Sequence, residues 1–180
     1  MIIWVNGPFG GGKSSVAAEM LTRIPHTTLY DPEEVGFMLR NLLPGREANF
    51  QDLAPWPPLV AATAIELISY TRGPLIAPMS LLREDYATEI FTILGAHDTT
   101  VQHVVLHADH DTLIRRIQQD RTHSEATRTF RLSKLDDYQH AYRTWLADTA
   151  HVIDTSYLTV RETADLVATL LAPSPSSRPK

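Results

Sequence analysis

The sequence predicts an α/β fold in which a five-stranded parallel sheet carries helices on both faces. Short apolar runs rich in β-branched residues alternate along the chain with longer segments that have the apolar spacing of helices. The first run leads into a glycine-rich turn and then a helix, the order of a strand–loop–helix unit. The five predicted strands cover residues 1–5, 27–30, 75–79, 101–107 and 152–156.

Composition favours a globular protein with one domain. The chain has 180 residues, of which 43% are hydrophobic and 21% are charged. We expect one domain over residues 1–172, followed by a Pro/Ser-rich tail over 173–180 that is disordered. The net charge of −5 argues against nucleic acid as a partner. The sequence has no cysteine, which excludes disulfides and thiolate chemistry.

The sequence also predicts a cytoplasmic protein without a membrane span. It begins directly with a predicted strand, so no signal peptide is expected. Its longest apolar stretch, residues 59–68, is too short and too interrupted to cross a bilayer. The eight histidines are scattered without the HExxH spacing of a zinc site. The oligomeric state stays open.

The glycine-rich turn has the spacing GxxxxGK[ST] of the phosphate-binding loop called Walker A, or P-loop. From Gly7 it runs Gly-Pro-Phe-Gly-Gly-Gly-Lys-Ser. Such a loop lets backbone N–H groups converge on a phosphate, and the helix that follows adds the positive end of its dipole. We expect Lys13 to contact the β- and γ-phosphates of ATP or GTP, and the Ser14 hydroxyl to ligate Mg²⁺. The predicted nucleotide-binding residues of the loop are Gly7, Phe9, Gly10, Gly11, Gly12, Lys13, Ser14 and Ser15.

Asp31 follows the second predicted strand and precedes a proline and two acids, the pattern of a helix start. Ligands of a parallel sheet bind beyond the carboxyl ends of its strands. We expect the second strand to lie beside the P-loop strand, so Asp31 is predicted to be a helix cap and also a catalytic base. Glu33 and Arg40, on the helix that follows, are candidates for binding the acceptor, although a surface position is the default for Arg40.

Residues 50–58 are rich in aromatics and proline and have little periodicity, which predicts a shaped loop before a helix at about 59–70. Trp56 either packs in the core or lines an acceptor pocket, and both alternatives stay open. The third strand ends in Pro78-Met79-Ser80, where an Asp or Glu that supports Mg²⁺ usually stands. Without that carboxylate, Asp31 or a water-mediated contact of Ser80 has to replace it, or catalysis is weak. A further helix at 84–94 is expected to end at Gly95.

Arginines are concentrated after the fourth strand, at positions 115, 116, 121, 128 and 131. Such a cluster is usually a solvated surface. In an acidic protein with a nucleotide site, it favours a lid, at about 116–132, that closes over the transferring phosphoryl group. Arg116 and Arg121 are the first candidates for catalytic contacts, with Arg116 also binding the nucleotide. Arg128 is a candidate for acceptor binding, and Arg131 is a further lid arginine. A long helix at about 132–148 follows.

Together these features resemble the P-loop kinases of the nucleotide-monophosphate-kinase type, and within them the tunicamycin-resistance ATP-binding proteins. The similarity lies in residues 1–7 with the P-loop, 30–33 with 36–40, 76–80 and 113–117. The resemblance implies that the Pro-Met-Ser ending is a feature of this group. It also implies ATP-dependent handling of, or resistance to, a nucleoside-type antibiotic. A more distant similarity to chloramphenicol phosphotransferase implies that Asp31 is the base that activates a hydroxyl of the drug.

Three functions follow as hypotheses. The main one is an ATP- or GTP-dependent phosphotransferase that acts on a hydroxyl of a small molecule, in particular a nucleoside-type antibiotic. The second is a protein that binds ATP and sequesters the drug without modifying it. The third is a nucleoside or nucleotide kinase of primary metabolism, which would require more arginines near Asp31 than Arg40 alone.

Overall fold

A computed structural model describes residues 1–43 and 49–170. The predicted helix stop at Pro44-Gly45 and the predicted tail at 173–180 lie outside these residues. The strands are β1 (Ile2–Asn6), β2 (Thr28–Leu29), β3 (Leu75–Pro78), β4 (Val101–His107) and β5 (His151–Asp154). The α-helices are α1 (Lys13–Leu21), α2 (Pro32–Leu42), α3 (Trp56–Thr71), α4 (Glu84–Ala96), α5 (His110–Gln119), α6 (Glu125–Ser133), α7 (Leu135–Ala141), α8 (Ala147–Thr149) and α9 (Val160–Thr169). A 3₁₀ turn covers Phe50–Asp52 and a π-helical turn covers Tyr142–Leu146.

The five strands form one parallel sheet in the order β2-β3-β1-β4-β5, which confirms the predicted fold class. The central strand β1 is buried along its whole length. Its side chains alternate between two apolar clusters: Ile2 and Trp4 point into one, and Ile3 and Val5 into the other. Because both faces of β1 are covered by helices, its first four residues are all apolar, and not only every second one.

The position of β2 corrects one expectation. We predicted that β2 lies beside the P-loop strand, but β3 lies between them, and β2 is the edge strand. The backbone N–H of Tyr30 donates to the carbonyl of Ile76 on β3, which fixes this order. Asp31 therefore comes to the nucleotide side of the molecule at the start of α2 and not from a strand next to the P-loop.

Trp56 has the first of its two expected roles, that of a core residue. Its side chain is completely buried, and the indole Nε1 donates to the carbonyl of Pro32 at 3.2 Å. Helix α3 begins at Trp56. The two prolines that follow it lie in the first turn, where a backbone N–H has no intrahelical acceptor, so their missing N–H groups cost no hydrogen bond. The aromatic side chain thus anchors the first turn of α2 in the core, and its burial favours the core alternative over the acceptor pocket.

Two helix ends also differ from the predictions. Helix α4 continues through Gly95 to Ala96, and the left-handed residue is Asp98, with a φ of 54°. The N–H groups of Asp98 and Thr99 bond back to Gly95 and Leu94, the pattern of a Schellman cap. The predicted helix at 132–148 is interrupted, since α6 ends at Ser133 and α7 passes into the π-helical turn.

A buried polar group joins the strands beneath the P-loop. The side-chain amide of Asn6 donates to the carbonyl of Leu81 at 2.7 Å and lies 3.1 Å from His103 Nε2. The His103 ring stacks on Trp145 of the π-helical turn, with ring centroids 5.8 Å apart. Since an amide N–H₂ can only donate, His103 Nε2 must accept, and the imidazole is neutral. Burial, with a smaller effect of His151, lowers the pKa of His103 to about 4.

Candidate active site

The P-loop connects β1 to α1 through three glycines with positive φ: Gly7 at 139°, Gly10 at 78° and Gly12 at 84°. Gly12 is the N-cap residue of α1, and within the described residues no side chain caps this helix. The first intrahelical bond is made by the N–H of Val16, which donates to the Gly12 carbonyl at 2.9 Å. The N–H groups of the preceding helical residues, 13–15, are therefore available to an anion, as predicted for a phosphate site.

Gly7 is required where the loop begins. A Cβ atom at this position would lie 2.6 Å from the carbonyl oxygen of Leu106 on β4. The N–H of Gly7 donates to the side-chain oxygen of Asn6 at 2.7 Å, and the same oxygen accepts from the N–H of Leu81 at 2.9 Å. Asn6 thus holds the start of the P-loop against the segment that follows β3.

Ser80 belongs to the segment after β3 in which an acid that supports Mg²⁺ usually stands. Its hydroxyl donates to the Gly7 carbonyl at 2.8 Å. The backbone carbonyl of Ser80 accepts from Gln51 Nε2 at 3.0 Å, which ties the 3₁₀ turn to the same point. In this structure Ser80 fixes the shape of the P-loop.

Lys13 folds back over its own loop. Its ammonium donates to the carbonyls of Pro8 at 2.8 Å and Gly7 at 3.1 Å, and it lies 5.6 Å from the centre of the Phe9 ring. Burial lowers the pKa of Lys13 to about 8; the positive charge of Arg131 acts in the same direction, and Glu33 opposes both. The lysine that was predicted to bind phosphate thus lies against its own loop, within electrostatic range of one acid and one arginine.

The P-loop fits a nucleotide with Mg²⁺. Ser14 and Ser15 are exposed in the first turn of α1, where a hydroxyl can reach a metal bound to phosphates. The described residues contain no cluster of three or more His, Asp or Glu side chains that could hold a metal alone. A Mg²⁺ ion at Ser14 would therefore depend on phosphate oxygens and water for most of its ligands, as Mg²⁺ commonly does.

Asp31 is the N-cap of α2, as predicted. Its Oδ1 accepts from the N–H of Glu33 at 2.9 Å, and Pro32 occupies the first helical position. Within residues 1–43 and 49–170, its second carboxylate oxygen receives no hydrogen bond. Asp31 can therefore cap the helix with one oxygen and accept a proton with the other.

Glu33 interacts electrostatically with the lysine of the P-loop. Burial raises the pKa of Glu33, with Asp31 adding to the shift, while the charges of Lys13 and Arg131 oppose it. Glu33 therefore lies within electrostatic range of Lys13 at the P-loop and of Arg131.

Arg131, and not Arg121 or Arg128, is the arginine that reaches the P-loop. Its guanidinium lies 5.4 Å from the centre of the Phe9 ring, in the position of a cation–π contact. It is held there from behind, because Nη1 donates to Asp120 Oδ2 at 3.1 Å and Nη2 lies 2.9 Å from His123 Nε2. Hydrogen bonds, first from Thr122, lower the pKa of Asp120 to about 2, so this carboxylate stays charged.

The other predicted lid arginines have different surroundings. Arg116 donates to the carbonyl and to the hydroxyl of Thr155, in the loop after β5, at 2.6 and 3.1 Å. Arg128 donates to the carbonyls of His123 and Asp120, which fixes the turn before α6. Arg121 is exposed and makes no hydrogen bond or ion pair with the described part of the chain.

Arg40 is exposed near the end of α2, with its guanidinium 5.3 Å from the centre of the Phe50 ring. It lies two turns of helix beyond Glu33. Charge interactions therefore link Glu33 to Asp31, Lys13 and Arg131. Arg40 lies farther along α2, and Arg121 lies in the segment between α5 and α6. Arg131 was recognised as a lid arginine, but its priority over the others depends on where α6 packs, which no local pattern encodes.

Sequence comparison agrees with this geometry. The family described as the AAA domain matches residues 2–145, most of the chain. The chain belongs to this family. Among curated proteins, none matches it. No helix in the described part of this AAA-domain protein is long and apolar enough to span a membrane.

Solved structures with the same fold include a resistance protein and several kinases. The tunicamycin resistance protein of Deinococcus radiodurans is similar over 96% of both chains, with 28% identity and a TM-score of 0.77. The APS kinase of Mycobacterium tuberculosis, solved with AMPPNP and APS, covers 96% of this chain and 97% of its own, with 17% identity and a TM-score of 0.62. A gluconokinase from Sinorhizobium meliloti 1021 covers 94% and 92%, with 17% identity and a TM-score of 0.63. The chain thus has the P-loop kinase-like fold that was predicted.

Proposed function

We propose that this protein is a small-molecule kinase that transfers the γ-phosphoryl group of ATP or GTP to a hydroxyl group, in particular of a nucleoside-type antibiotic. One observation carries the proposal: the Glu33 carboxylate, next to Asp31 at the start of α2, interacts electrostatically with Lys13 of the P-loop and with Arg131, which lies over Phe9 of the same loop. A base next to a phosphate site with converging positive charges is the arrangement that phosphoryl transfer to an alcohol requires.

In the proposed reaction, Asp31 accepts the proton of the acceptor hydroxyl through Oδ2, the carboxylate oxygen that does not cap α2. The acceptor oxygen then forms a bond to the γ-phosphorus, while the bond from that phosphorus to the β,γ-bridging oxygen breaks. The nucleoside diphosphate leaves with the electron pair of the broken bond. Lys13 and Arg131 stabilise the negative charge on the transferring group, because cations close to a developing charge lower its energy in a site with little water.

Mg²⁺ bound to the nucleotide would be held at Ser14 and would neutralise charge on the β- and γ-phosphates. The carboxylates of Asp31 and Glu33, at the start of α2, would lie on the acceptor side of this ion. Their position offsets the missing acid after β3, where the Ser80 hydroxyl is engaged by the Gly7 carbonyl.

The test is incubation of the purified protein with ATP or GTP, Mg²⁺ and a panel of nucleoside antibiotics, with mass spectrometry of each compound. We expect one compound to gain a single phosphoryl group. Asp31→Asn is the informative variant, because asparagine still caps a helix but cannot take up the proton. We expect it to retain nucleotide binding and to lose about 100-fold or more of the transfer rate.

A second function, sequestration of the drug without modification, is favoured by the serine at the end of β3. It predicts that the protein binds the drug in the presence of nucleotide, that no compound gains mass, and that Asp31→Asn binds as the original protein does. The same panel therefore separates the two functions.

A further inference from the structure

Helix α2 carries a stripe of residues that begins at the phosphate site. Glu33, Gly36 and Phe37 are spaced i, i+3 and i+4, so they share one face of the helix. The Glu33 end of this face interacts with the charges of Lys13 and Arg131. Phe37 lies one helical turn farther along, at about 5–6 Å between the Cβ atoms.

Phe50, in the 3₁₀ turn, packs against this stripe. The ring of Phe50 packs directly on Gly36, and any side chain at Gly36 would overlap it. The Phe50 ring meets Phe37 edge to face, with centroids 6.0 Å apart and an interplanar angle of 68°. A glycine inside a helix is unfavourable, so its position beneath Phe50 indicates that the close approach of this ring is required.

The aromatic pair Phe37–Phe50 is also tied to the P-loop from its other side. Gln51, next to Phe50, donates to the Ser80 carbonyl at 3.0 Å, and the Ser80 hydroxyl donates to the Gly7 carbonyl at 2.8 Å. A short chain of hydrogen bonds therefore fixes the distance between the aromatic pair and the phosphate site.

Phe37 differs from the other aromatic residues of this region because it is open to solvent. It is 43% exposed, whereas Trp56, which contacts the same Phe50 ring at 5.7 Å, is completely buried. An exposed ring beside a fixed reaction centre offers an apolar face to a bound molecule. The carboxylates of Asp31 and Glu33 at the near end disfavour a phosphate or sulfate group there, and Arg40, 5.3 Å from the centre of the Phe50 ring, lies two helical turns farther along.

We propose that Phe37 and Phe50 bind a neutral planar ring of the acceptor, with its hydroxyl on the side of Asp31. This inference rests on the proposed kinase function and specifies its acceptor: an uncharged compound with an aromatic or heteroaromatic ring. Simple polyols lack the ring, and nucleoside monophosphates carry a charge that the two acids repel. The subsite selects among acceptors and takes no part in the transfer itself.

The test uses uridine as the ring-bearing probe, D-ribose as the same sugar without the ring, and uridine monophosphate as the charged counterpart. Phe37→Ala is compared with Met38→Ala, a neighbour on α2 that is exposed to a similar extent, 44%. Binding is measured by calorimetry with the nucleotide site saturated by AMPPNP, and transfer is measured with ATP.

We expect the original protein to bind uridine better than D-ribose and better than uridine monophosphate. Phe37→Ala should weaken uridine binding about tenfold, the usual effect of losing one aromatic contact to a base. It should raise the KM for uridine without lowering kcat, leave AMPPNP binding unchanged, and leave D-ribose binding unaffected. Met38→Ala should behave as the original protein does.

Calorimetry distinguishes failure of this subsite from failure of the kinase proposal. If uridine binds and Phe37→Ala weakens it, the subsite stands even when no acceptor is phosphorylated, and only the kinase proposal fails. The subsite is overturned if Phe37→Ala and Met38→Ala bind uridine equally well, if D-ribose binds as tightly as uridine, or if uridine does not bind at all.

Discussion

The guanidinium of Arg131 lies over the ring of Phe9, 5.4 Å from its centre, and so joins helix α6 directly to the P-loop. Phe9 in turn lies beneath the ammonium of Lys13, at 5.6 Å. One aromatic ring of the P-loop therefore contacts two cations, and the charge of Arg131 acts on Lys13. Glu33 offsets part of the repulsion between the two cations, and a phosphate bound to both would offset more of it.

Replacement of Arg131 by alanine should lower the rate of phosphoryl transfer about 100-fold, because one positive charge that stabilises the transferring group is lost. Steady-state kinetics at saturating ATP, with the acceptor found in the panel, measures the effect. Arg121→Ala is the matched control, since Arg121 is exposed and unpaired among the described residues. A rate that falls with Arg121→Ala and not with Arg131→Ala would mean that another arginine enters the site when the nucleotide binds.

His123 should act through Arg131. Its Nε2 lies 2.9 Å from Arg131 Nη2, and its Nδ1 lies 2.9 Å from Asp120 Oδ2. His123→Ala removes one of the contacts that hold the guanidinium, so we expect a loss of about tenfold in kcat, smaller than that of Arg131→Ala. In the double variant the two effects should not add, because the histidine has nothing left to position. Additive losses would show that His123 acts independently of Arg131.

Lys13→Met should abolish nucleotide binding and at the same time stabilise the protein. Burial lowers the pKa of Lys13 from 10.5 to about 8, so between these values the unfolded chain binds more protons than the folded one. Below this range the charged lysine is retained at a cost in folding free energy, which methionine removes. We expect a higher Tm without nucleotide, and no further rise when ATP is added. An unchanged or lower Tm would contradict this account.

His103 should make the protein sensitive to mild acid. The pKa of His103 falls from 6.5 to about 4 on folding, so the unfolded chain binds more protons in this range. Stability is therefore full above the upper value and decreases as the pH falls towards the lower one, by about 3 kcal/mol at most.

Urea denaturation across this pH range measures the effect of His103. His103→Gln keeps an acceptor for Asn6 and removes the titration, so its stability should vary less with pH than that of the original protein. His97→Gln, at the exposed end of α4, is the control and should leave the pH dependence unchanged. Equal pH dependence in His103→Gln and the original protein would assign the acid sensitivity to other groups.

Local patterns predicted the parts of the site that depend on neighbouring residues. The P-loop, the bounds of β4 and the capping role of Asp31 follow from spacing and from the chemistry of a few consecutive positions. The sheet order does not, because the edge position of β2 depends on pairing with β3, more than forty positions away. Trp56 illustrates the same limit, since only packing against Pro32 decides between core and pocket.

The arginines after β4 show most clearly what could not be predicted from the sequence. Their number indicated a phosphate-directed segment, but their roles depend on side-chain partners that are distant in the chain. Arg116 contacts Thr155, Arg128 holds a turn, and Arg131 reaches Phe9. Sequence alone could not rank them, because all three are arginines in amphipathic segments and no local pattern distinguishes one from another.

The hydrogen bonds of Lys13 to the carbonyls of Gly7 and Pro8 bear on which ligands the P-loop selects. An incoming ligand has to draw the ammonium away from two acceptors that are already in place. Neutral carbonyl oxygens are weaker acceptors than anionic phosphate oxygens, so a triphosphate gains from this exchange and a neutral molecule of the same shape does not. The loop therefore favours ligands with a high density of negative charge. Ligands that compete for this site are ranked by how strongly each attracts the Lys13 ammonium.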